Sequence, residues 1–174
     1  KSRERELRTE LGAGGPDGLD VARVEAGLLL IDVDYVGSKK ATIAAQKYTP
    51  YELGLGRLVN LEKRSFIGRS ALADAARSTK RQIVGLEVDW TDVEAVYSRV
   101  GLTPVAPSAA SRTPVPVLDG DRQVGRATTT AWSPTLKRLV AIACVDVPRY
   151  AEGTRLRFEI TVEGTRHFVG ATVV

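Results

Sequence analysis

The chain has 174 residues, of which 43% are hydrophobic and 26% charged, so its composition is that of a globular protein. The longest apolar run, residues 26–31, is far shorter than the roughly 20 residues of a membrane span, and we predict no membrane partner. The net charge of +4 divides evenly, with 15 basic and 13 acidic side chains in residues 1–90 and 10 and 8 in residues 91–174. Because nucleic-acid binders usually concentrate such charge, a nucleic-acid partner is not favoured.

The first half of the chain predicts helices separated by irregular segments. A short charged helix is expected over residues 2–11, and a second over residues 20–26, capped by Asp17 or Asp20. An irregular polar stretch follows from 32 to 49. Residues 53–61 are apolar and rich in glycine, and we predict a strand there. Residues 68–77 have the composition of a short helix.

From residue 80 onward the pattern indicates antiparallel strands. Apolar residues alternate over 82–88 and 155–162, and 138–145 is a continuous apolar strand. Asp119-Gly120 and Glu163-Gly164 stand between apolar segments as hairpin turns do. Thr91 and Glu94 have capping-box spacing, and residues 102–114 form a loop rich in Pro, Ala and Ser. We therefore predict an α+β fold, with a short N-terminal helical segment in residues 1–79 and a small antiparallel barrel or sandwich in residues 80–174.

The usual catalytic and metal-binding arrangements of residues are poorly represented. His167 is the single histidine and is expected to be exposed at the start of the last strand. Cys144 lies in an apolar run and is interpreted as a small buried hydrophobe, which suits a reducing, cytoplasmic setting. Asp32 and Asp34 stand two apart and could share a proton or bind a cation, but with no further ligands nearby they are interpreted as solvated loop acids. We predict no catalytic residue and no metal site in this chain.

Arg23 and Glu25 are charged residues within a largely apolar predicted helix. Positions two apart on a helix face different directions, so the two side chains are not simply paired with each other. An arginine whose stem is buried among Val21, Ala22 and Val24 must meet a carboxylate or present its fork to an anionic ligand. A structural ion pair and a ligand contact are both open on this reasoning.

Six segments in order resemble the aminomethyltransferase family, which comprises the glycine cleavage T-protein and related tetrahydrofolate-dependent methyltransferases and demethylases. Residues 22–28 (ARVEAGL) resemble its R-[LIV]-E-[AK]-G segment, and residues 49–55 (TPYELGL) its T-P-x-E-x-G-L. Residues 66–72 (FIGRSAL) resemble F-[IV]-G-R-x-A-L. The remaining matches are 83–88, which resembles the first strand of the family's C-terminal barrel, 123–128 and 133–143.

The resemblance implies a tetrahydrofolate cofactor and a small methyl or aminomethyl donor as partners. It also implies that residues 1–79 are the C-terminal part of the folate-binding domain, that 80–174 are the C-terminal barrel, and that the upstream part of the same protein is a further partner. No methionine occurs at position 1 or elsewhere, and we expect a fragment that is inactive alone, with the catalytic group upstream. Arg23 is implied to reach the folate, with Glu25 supporting the helix or orienting Arg23. Cofactor binding is therefore expected at these two residues.

Departures from the family pattern make glycine cleavage itself doubtful. Residues 30–40 differ from the family's L-Y-G-N-D-I-D, and the segment 90–112 is longer than the usual connection. The first of these features, with the longer linker that follows it to Thr49, resembles relatives that act as demethylases or are fused to oxidative enzymes. Two alternatives stay open: a non-catalytic folate-binding or assembly protein on the same scaffold, and, with less support, a nucleic-acid-binding barrel.

Overall fold

The computed structural model describes residues 16–174. The helix predicted over residues 2–11 lies outside the described residues. Two 3-10 turns lie at Ala44–Gln46 and Gly56–Leu58. The helices and strands, in chain order, are α1 (Pro16–Glu25), α2 (Arg69–Arg77), β1 (Arg81–Val88), α3 (Trp90–Arg99), β2 (Val115–Asp119), β3 (Arg122–Ser133), β4 (Arg138–Asp146), β5 (Arg155–Val162) and β6 (Thr165–Val173).

The six strands form a closed antiparallel barrel in the order β1-β4-β3-β2-β5-β6. Strand β6 pairs with β1 to close it, with Leu86 opposite Val173. Closure leaves no free sheet edge, which removes the unpaired backbone groups that would invite association. The predicted α+β fold with a small antiparallel barrel is confirmed, and the barrel is the correct choice over the sandwich.

The barrel interior is an apolar core built by strand alternation. In β5, for example, Leu156, Phe158 and Val162 are buried along one face, as the sequence pattern predicts. Val93 and Val96 of α3 belong to the same core, so α3 adds its apolar face to the barrel. Its first turn is capped by Asp89, whose carboxylate accepts from the backbone N–H of Thr91. The helix cap is thus Asp89, two residues before the predicted position at Thr91.

The predicted strand over residues 53–61 is wrong. Gly54 has a φ of +72°, and the segment turns through Gly56–Leu58 in place of extending. Gly56 packs on the ring of Tyr51, where an added Cβ would come within 2.7 Å of a ring carbon. The glycines here serve a tight turn and a close approach, and the apolar residues between them do not alternate across a sheet.

Helix α1 packs on the outside of the barrel, against β3 and β4. Val24 forms a small second apolar cluster with Ala131, Val140 and Ile142. Other side chains between α1 and β3 are polar, and they form the cluster around Arg23 that is described next. Among the helices of residues 16–174, none is long and apolar enough to cross a membrane.

Candidate functional site

The two predicted site residues lie on different faces of α1, as their spacing requires. Arg23 points to the barrel wall and is only 9% exposed. Glu25 is half-buried and points to the end of β3, where the hydroxyl of Ser133 donates to its Oε1 at 2.5 Å. They do not contact each other: Arg23 lies in a buried polar cluster, and Glu25 lies at the wall of a cleft.

Every guanidinium nitrogen of Arg23 donates to a group of this chain. Its Nε donates to Asp20 at 2.8 Å, and its Nη1 to Asp34 at 2.7 Å. Nη1 also reaches the carbonyl of Leu28 at 3.2 Å, and Nη2 donates to the hydroxyl of Thr129 at 2.8 Å. Through these bonds one side chain connects helix α1, the loop of residues 28–34 and strand β3.

Asp34 is the fully buried centre of this polar cluster, with an exposed fraction of 0%. Besides Arg23, its carboxylate accepts from the backbone N–H of Leu30 at 2.8 Å. The hydroxyls of Thr128 and Thr129 donate to its Oδ1 at 2.7 and 2.8 Å. A buried carboxylate is tolerated only with this degree of compensation. The interpretation of Asp34 as a solvated loop acid is therefore wrong, whereas its neighbour Asp32 is exposed and bonds to Lys40.

A bulge in β3 explains how two successive threonines reach one carboxylate. Side chains in a regular strand alternate between faces, so Thr128 and Thr129 would point in opposite directions. The pairing of β3 with β4 shifts register between Ala127 and Thr129. Such a bulge adds a residue and re-aims its neighbours. Residues 127–129 are consequently all buried.

Asp20 links this cluster to the long loop before β2. It accepts from Arg23 on one oxygen and from Arg112 at 2.7 Å on the other. The hydrogen bond from Arg112, and then that from Arg23, holds the pKa of the Asp20 carboxyl below its usual value. Ser111 also pairs with Thr130 through both backbone groups. The end of this loop is therefore held against α1 and β3.

Glu25 lies at the wall of an open cleft of about 400 Å³ between α1 and the barrel. The cleft is otherwise apolar or backbone, with walls that include Leu29, Ile83, Leu136 and Val174. Gly27 at its edge has a φ of +65° and ends the helix. A carboxylate in an apolar cleft can accept hydrogen bonds from a ligand that carries N–H donors.

A second cleft, of about 480 Å³, lies on the neighbouring part of the barrel at Cys144. The hydroxyl of Tyr48 donates to the sulfur at 3.6 Å, and the guanidinium of Arg81 stacks 3.7 Å from the ring centre. Burial raises the pKa of the Cys144 thiol, and burial with the contact to Cys144 raises the pKa of Tyr48 to about 12. Both groups stay protonated at neutral pH. Cys144 is 7% exposed, and its predicted role as a buried hydrophobe is confirmed.

His167, the single histidine of the chain, is half-buried in β6, and its Nε2 is fully enclosed. The expectation of an exposed histidine is thus wrong. Within residues 16–174 no group of His, Cys, Asp and Glu side chains could hold a metal ion. The residues that sequence reasoning missed are Asp34, Thr128 and Thr129. A run of three threonines, residues 128–130 in β3, was the available signal.

The closed barrel of residues 81–173 defines a domain class. The family model described as the glycine cleavage T-protein C-terminal barrel domain matches residues 81–174. Glycine cleavage system aminomethyltransferase T from Bartonella henselae has the same fold, with a TM-score of 0.59 and 23% identity, over 88% of this chain and 36% of that one.

Curated relatives agree with this assignment. The chain is 34% identical to an aminomethyltransferase of Streptomyces avermitilis over 155 residues, which cover 82% of this chain and 35% of that protein. It is 29% identical to trimethylamine-oxide aldolase of Ruegeria pomeroyi over 162 residues, 92% of this chain and 17% of that protein. The chain belongs to the glycine cleavage T-protein family. It spans about a third of the length of the aminomethyltransferases it matches and less of the aldolase.

Proposed function

We propose that this chain is the C-terminal portion of a tetrahydrofolate-dependent one-carbon transferase of the cytoplasm. In this proposal the chain helps to close the folate site and lies beside the bound methyl or aminomethyl donor. It is inactive without the upstream part of the protein. The proposal rests on the family and on relatives whose names denote an aminomethyltransferase and a trimethylamine-oxide aldolase. Glycine cleavage is only one of the reactions that such names cover.

The observation that carries the proposal is the cleft beside Glu25. Its size and apolar walls fit a planar ring system, and the carboxylate fits the N–H donors of a pterin. Tetrahydrofolate supplies a nucleophilic nitrogen that accepts the one-carbon unit. Glu25 would orient the bound ring, with its own orientation fixed by Ser133. The apolar walls would exclude water, and orientation with exclusion of water supplies much of the rate in such transfers.

The proposed folate contact of Arg23 is compatible with its internal bonds. A guanidinium has five N–H donors, and four bonds within the described chain use four of them. The second N–H of Nη2 is left for a ligand carboxylate, such as that of a folate glutamyl tail. In this proposal Asp20, Asp34 and Thr129 hold the fork in place, and the folate carboxylate adds one charge-assisted bond.

The test is calorimetric titration of tetrahydrofolate into the full protein that contains this chain. Glu25→Gln keeps an oxygen for Ser133 and removes the charge, so we expect binding weaker by about 1.5–3 kcal/mol, as for a lost charged hydrogen bond. Arg23→Ala should weaken binding by a similar amount, provided that an unfolding curve shows the variant to be folded. Glu94→Gln, at an exposed position of α3, is the matched control and should bind normally.

The outcomes separate the alternatives. No binding by the full wild-type protein would overturn the folate proposal. Binding without turnover of amine, sulfonium or aryl methyl ether donors would favour the non-catalytic folate-binding or assembly protein instead. Normal binding by Glu25→Gln would remove Glu25 from the site while leaving the family-based proposal in place.

A further inference from the structure

The cleft at Cys144 has no part in the proposed folate site, although its wall carries charges of both signs. Arg81 lies on β1, Arg126 on β3 and Asp146 at the end of β4. The other residues of the wall are uncharged. A concave site of about 480 Å³ with a few polar groups among apolar ones has the usual form of a small-molecule site.

Arg81 has partners of its own and does not pair with the carboxylate that faces it across the sheet. The register of β1 and β4 places Asp146 directly opposite Arg81. The guanidinium instead donates to Glu52 at 3.2 Å and to the carbonyl of Lys47 at 2.9 Å, and it stacks on the ring of Tyr48. The carboxylate of Asp146 therefore gains nothing from its closest cross-strand cation.

Arg126 and Asp146 are opposite charges in one cleft that do not pair with each other. Among residues 16–174, neither side chain forms an ion pair or a hydrogen bond, and both are exposed. Arg126 stands opposite Cys144 in the register of β3 and β4. Asp146, two residues further along β4, is its diagonal neighbour on the same face of the sheet. A ligand in the cleft can therefore reach both charges.

An exposed arginine without an ion pair is not by itself a site. Arg155 also lines a cleft, of about 300 Å³, but the acids there are engaged. Glu87 accepts from Arg138, and Asp89 caps helix α3. Of the two clefts, the one at Cys144 has an unpaired guanidinium and an unpaired carboxylate in the same wall.

The guanidinium of Arg126 lies near the corner of the cleft that Tyr48 and Cys144 form. Burial, and then the contact with Cys144, raises the pKa of Tyr48 to about 12, and the positive charges of Arg81 and Arg126 act in the opposite direction. The Tyr48 hydroxyl and the Cys144 thiol are both neutral at pH 7 and add no negative charge. A ligand carboxylate beside Arg126 would also lie in the field of Arg81.

We propose that the cleft at Cys144 binds an apolar α-amino acid as a zwitterion, with its carboxylate on Arg126 and its ammonium group on Asp146. Each end of the ligand then makes a charge-assisted hydrogen bond. Val36 and Ala45 in the wall supply apolar surface for the ligand side chain. This site lies outside the cleft beside Glu25, and the proposal goes beyond the proposed transferase function and does not depend on it.

The two unpaired charges disfavour other classes of ligand. Asp146 would repel phosphate and other polyanions, whereas Arg126 and Arg81 would repel a simple amine. A monocarboxylate would pair with Arg126 and leave Asp146 without a partner. Among these classes, the zwitterion alone pairs with both charges.

The experiment is an NMR titration of the nitrogen-15-labelled 174-residue chain with three probes of one carbon skeleton. L-leucine carries both charges, 4-methylpentanoate lacks the ammonium group, and 3-methylbutylamine lacks the carboxylate. Arg126→Gln and Asp146→Asn each remove one charge of the cleft. Arg155→Gln and Glu152→Gln remove the same charges at exposed positions outside it and are the matched controls.

We expect L-leucine to bind about tenfold or more tightly than either of the other probes, because each of them lacks one charge-assisted hydrogen bond. The amide signals of residues 125–126 and 144–146 should shift. Arg126→Gln should weaken the binding of leucine about tenfold and should not weaken that of 3-methylbutylamine. Asp146→Asn should weaken leucine and should not weaken 4-methylpentanoate. The dispersion of each amide spectrum shows whether the variant is folded.

Four results would overturn the proposal. The first is the absence of any shift with leucine. Equal affinity for leucine and 4-methylpentanoate would reduce the cleft to a carboxylate site. Equal losses in the cleft variants and in Arg155→Gln and Glu152→Gln would assign binding to net charge. Shifts confined to residues 24–29, which Glu25→Gln abolishes, would place leucine in the other cleft. None of these measurements involves folate, so failure here leaves the proposed function untouched.

Discussion

The two helices that precede the barrel are attached to it in opposite ways. Helix α1 is held by a buried carboxylate, a buried arginine and a small apolar cluster around Val24. Helix α2 has no buried side chain, and no residue between Glu52 and Leu86 is buried. Two adjacent parts of one chain thus have different roles, since α1 is fixed in relation to the barrel and α2 presents its surface to solvent.

The largest expected effect comes from removing the carboxylate at the centre of the α1 contact. Asp34→Ala leaves a buried guanidinium and two hydroxyl groups short of a partner. Breaking a buried ion pair in this way costs about 3–5 kcal/mol. We expect a fall of this size in the free energy of unfolding, measured by urea denaturation at pH 7. A loss below about 1 kcal/mol would mean that the cluster contributes little to holding α1.

A finer test compares neighbouring threonines of β3. Thr129→Val removes a hydroxyl that accepts from Arg23 and donates to Asp34, and should cost about 1–3 kcal/mol. Thr130→Val is the matched control, because Thr130 is half-buried and its backbone pairs with Ser111. Its expected change is within about 0.5 kcal/mol. Equal effects at the two positions would contradict the role of the bulge.

Low pH should weaken the contact between α1 and the rest of the protein, because it protonates Asp20. The pKa of this carboxyl is held below the ordinary value of 3.8 by the bonds from Arg112 and Arg23. Its contribution to stability is therefore fully present above about pH 4 and is lost as the pH falls through the lowered pKa of the folded state. Urea unfolding of the wild type and of Asp20→Asn over this range should show two curves that converge at low pH. A gap that stays constant between pH 7 and the lowest pH would contradict this linkage.

The smallest effect is expected in α2. Leu72 is only half-buried, and no residue of the helix is buried, so Leu72→Ala should destabilise the chain by less than about 1 kcal/mol. Replacement of a well-packed leucine costs about 2–5 kcal/mol, and Leu86→Ala in the barrel core provides that reference. A cost for Leu72→Ala near that of Leu86→Ala would show that α2 packs as firmly as the barrel.

The barrel was predictable from sequence because each strand is half-buried and its alternation records which face is inside. Leu156, Phe158 and Val162 mark one face of β5 without reference to any other strand. The hairpin turns were predictable in the same way, because Gly120 and Gly164 readily adopt the positive φ that these turns need. These features depend on residues that are near one another in the chain.

The site was harder to predict because it depends on a break in that regularity. Asp34 meets threonines that lie 94 and 95 positions further along the chain, and it does so only because β3 has a bulge. Neither the bulge nor the pairing leaves a periodic signal. The same reasoning did identify Arg23 as a partly buried side chain that needs either a carboxylate or an anionic ligand. It could not identify Asp34 as that carboxylate, because Asp32, two residues away, has the same chemistry and stays exposed.

Closure of the barrel has a consequence for the speed of folding. Strand β1 lies between β4 and β6, so its partners are residues such as Asp146 and Val173, far along the chain. Topologies dominated by distant pairings fold in milliseconds to seconds, because the entropy of loop closure precedes the contacts. Before β6 pairs with β1, the backbone groups along one edge of β1 have no partner, and they lie next to the apolar face of the sheet. The interval before closure is thus the period in which this chain is most exposed to aggregation.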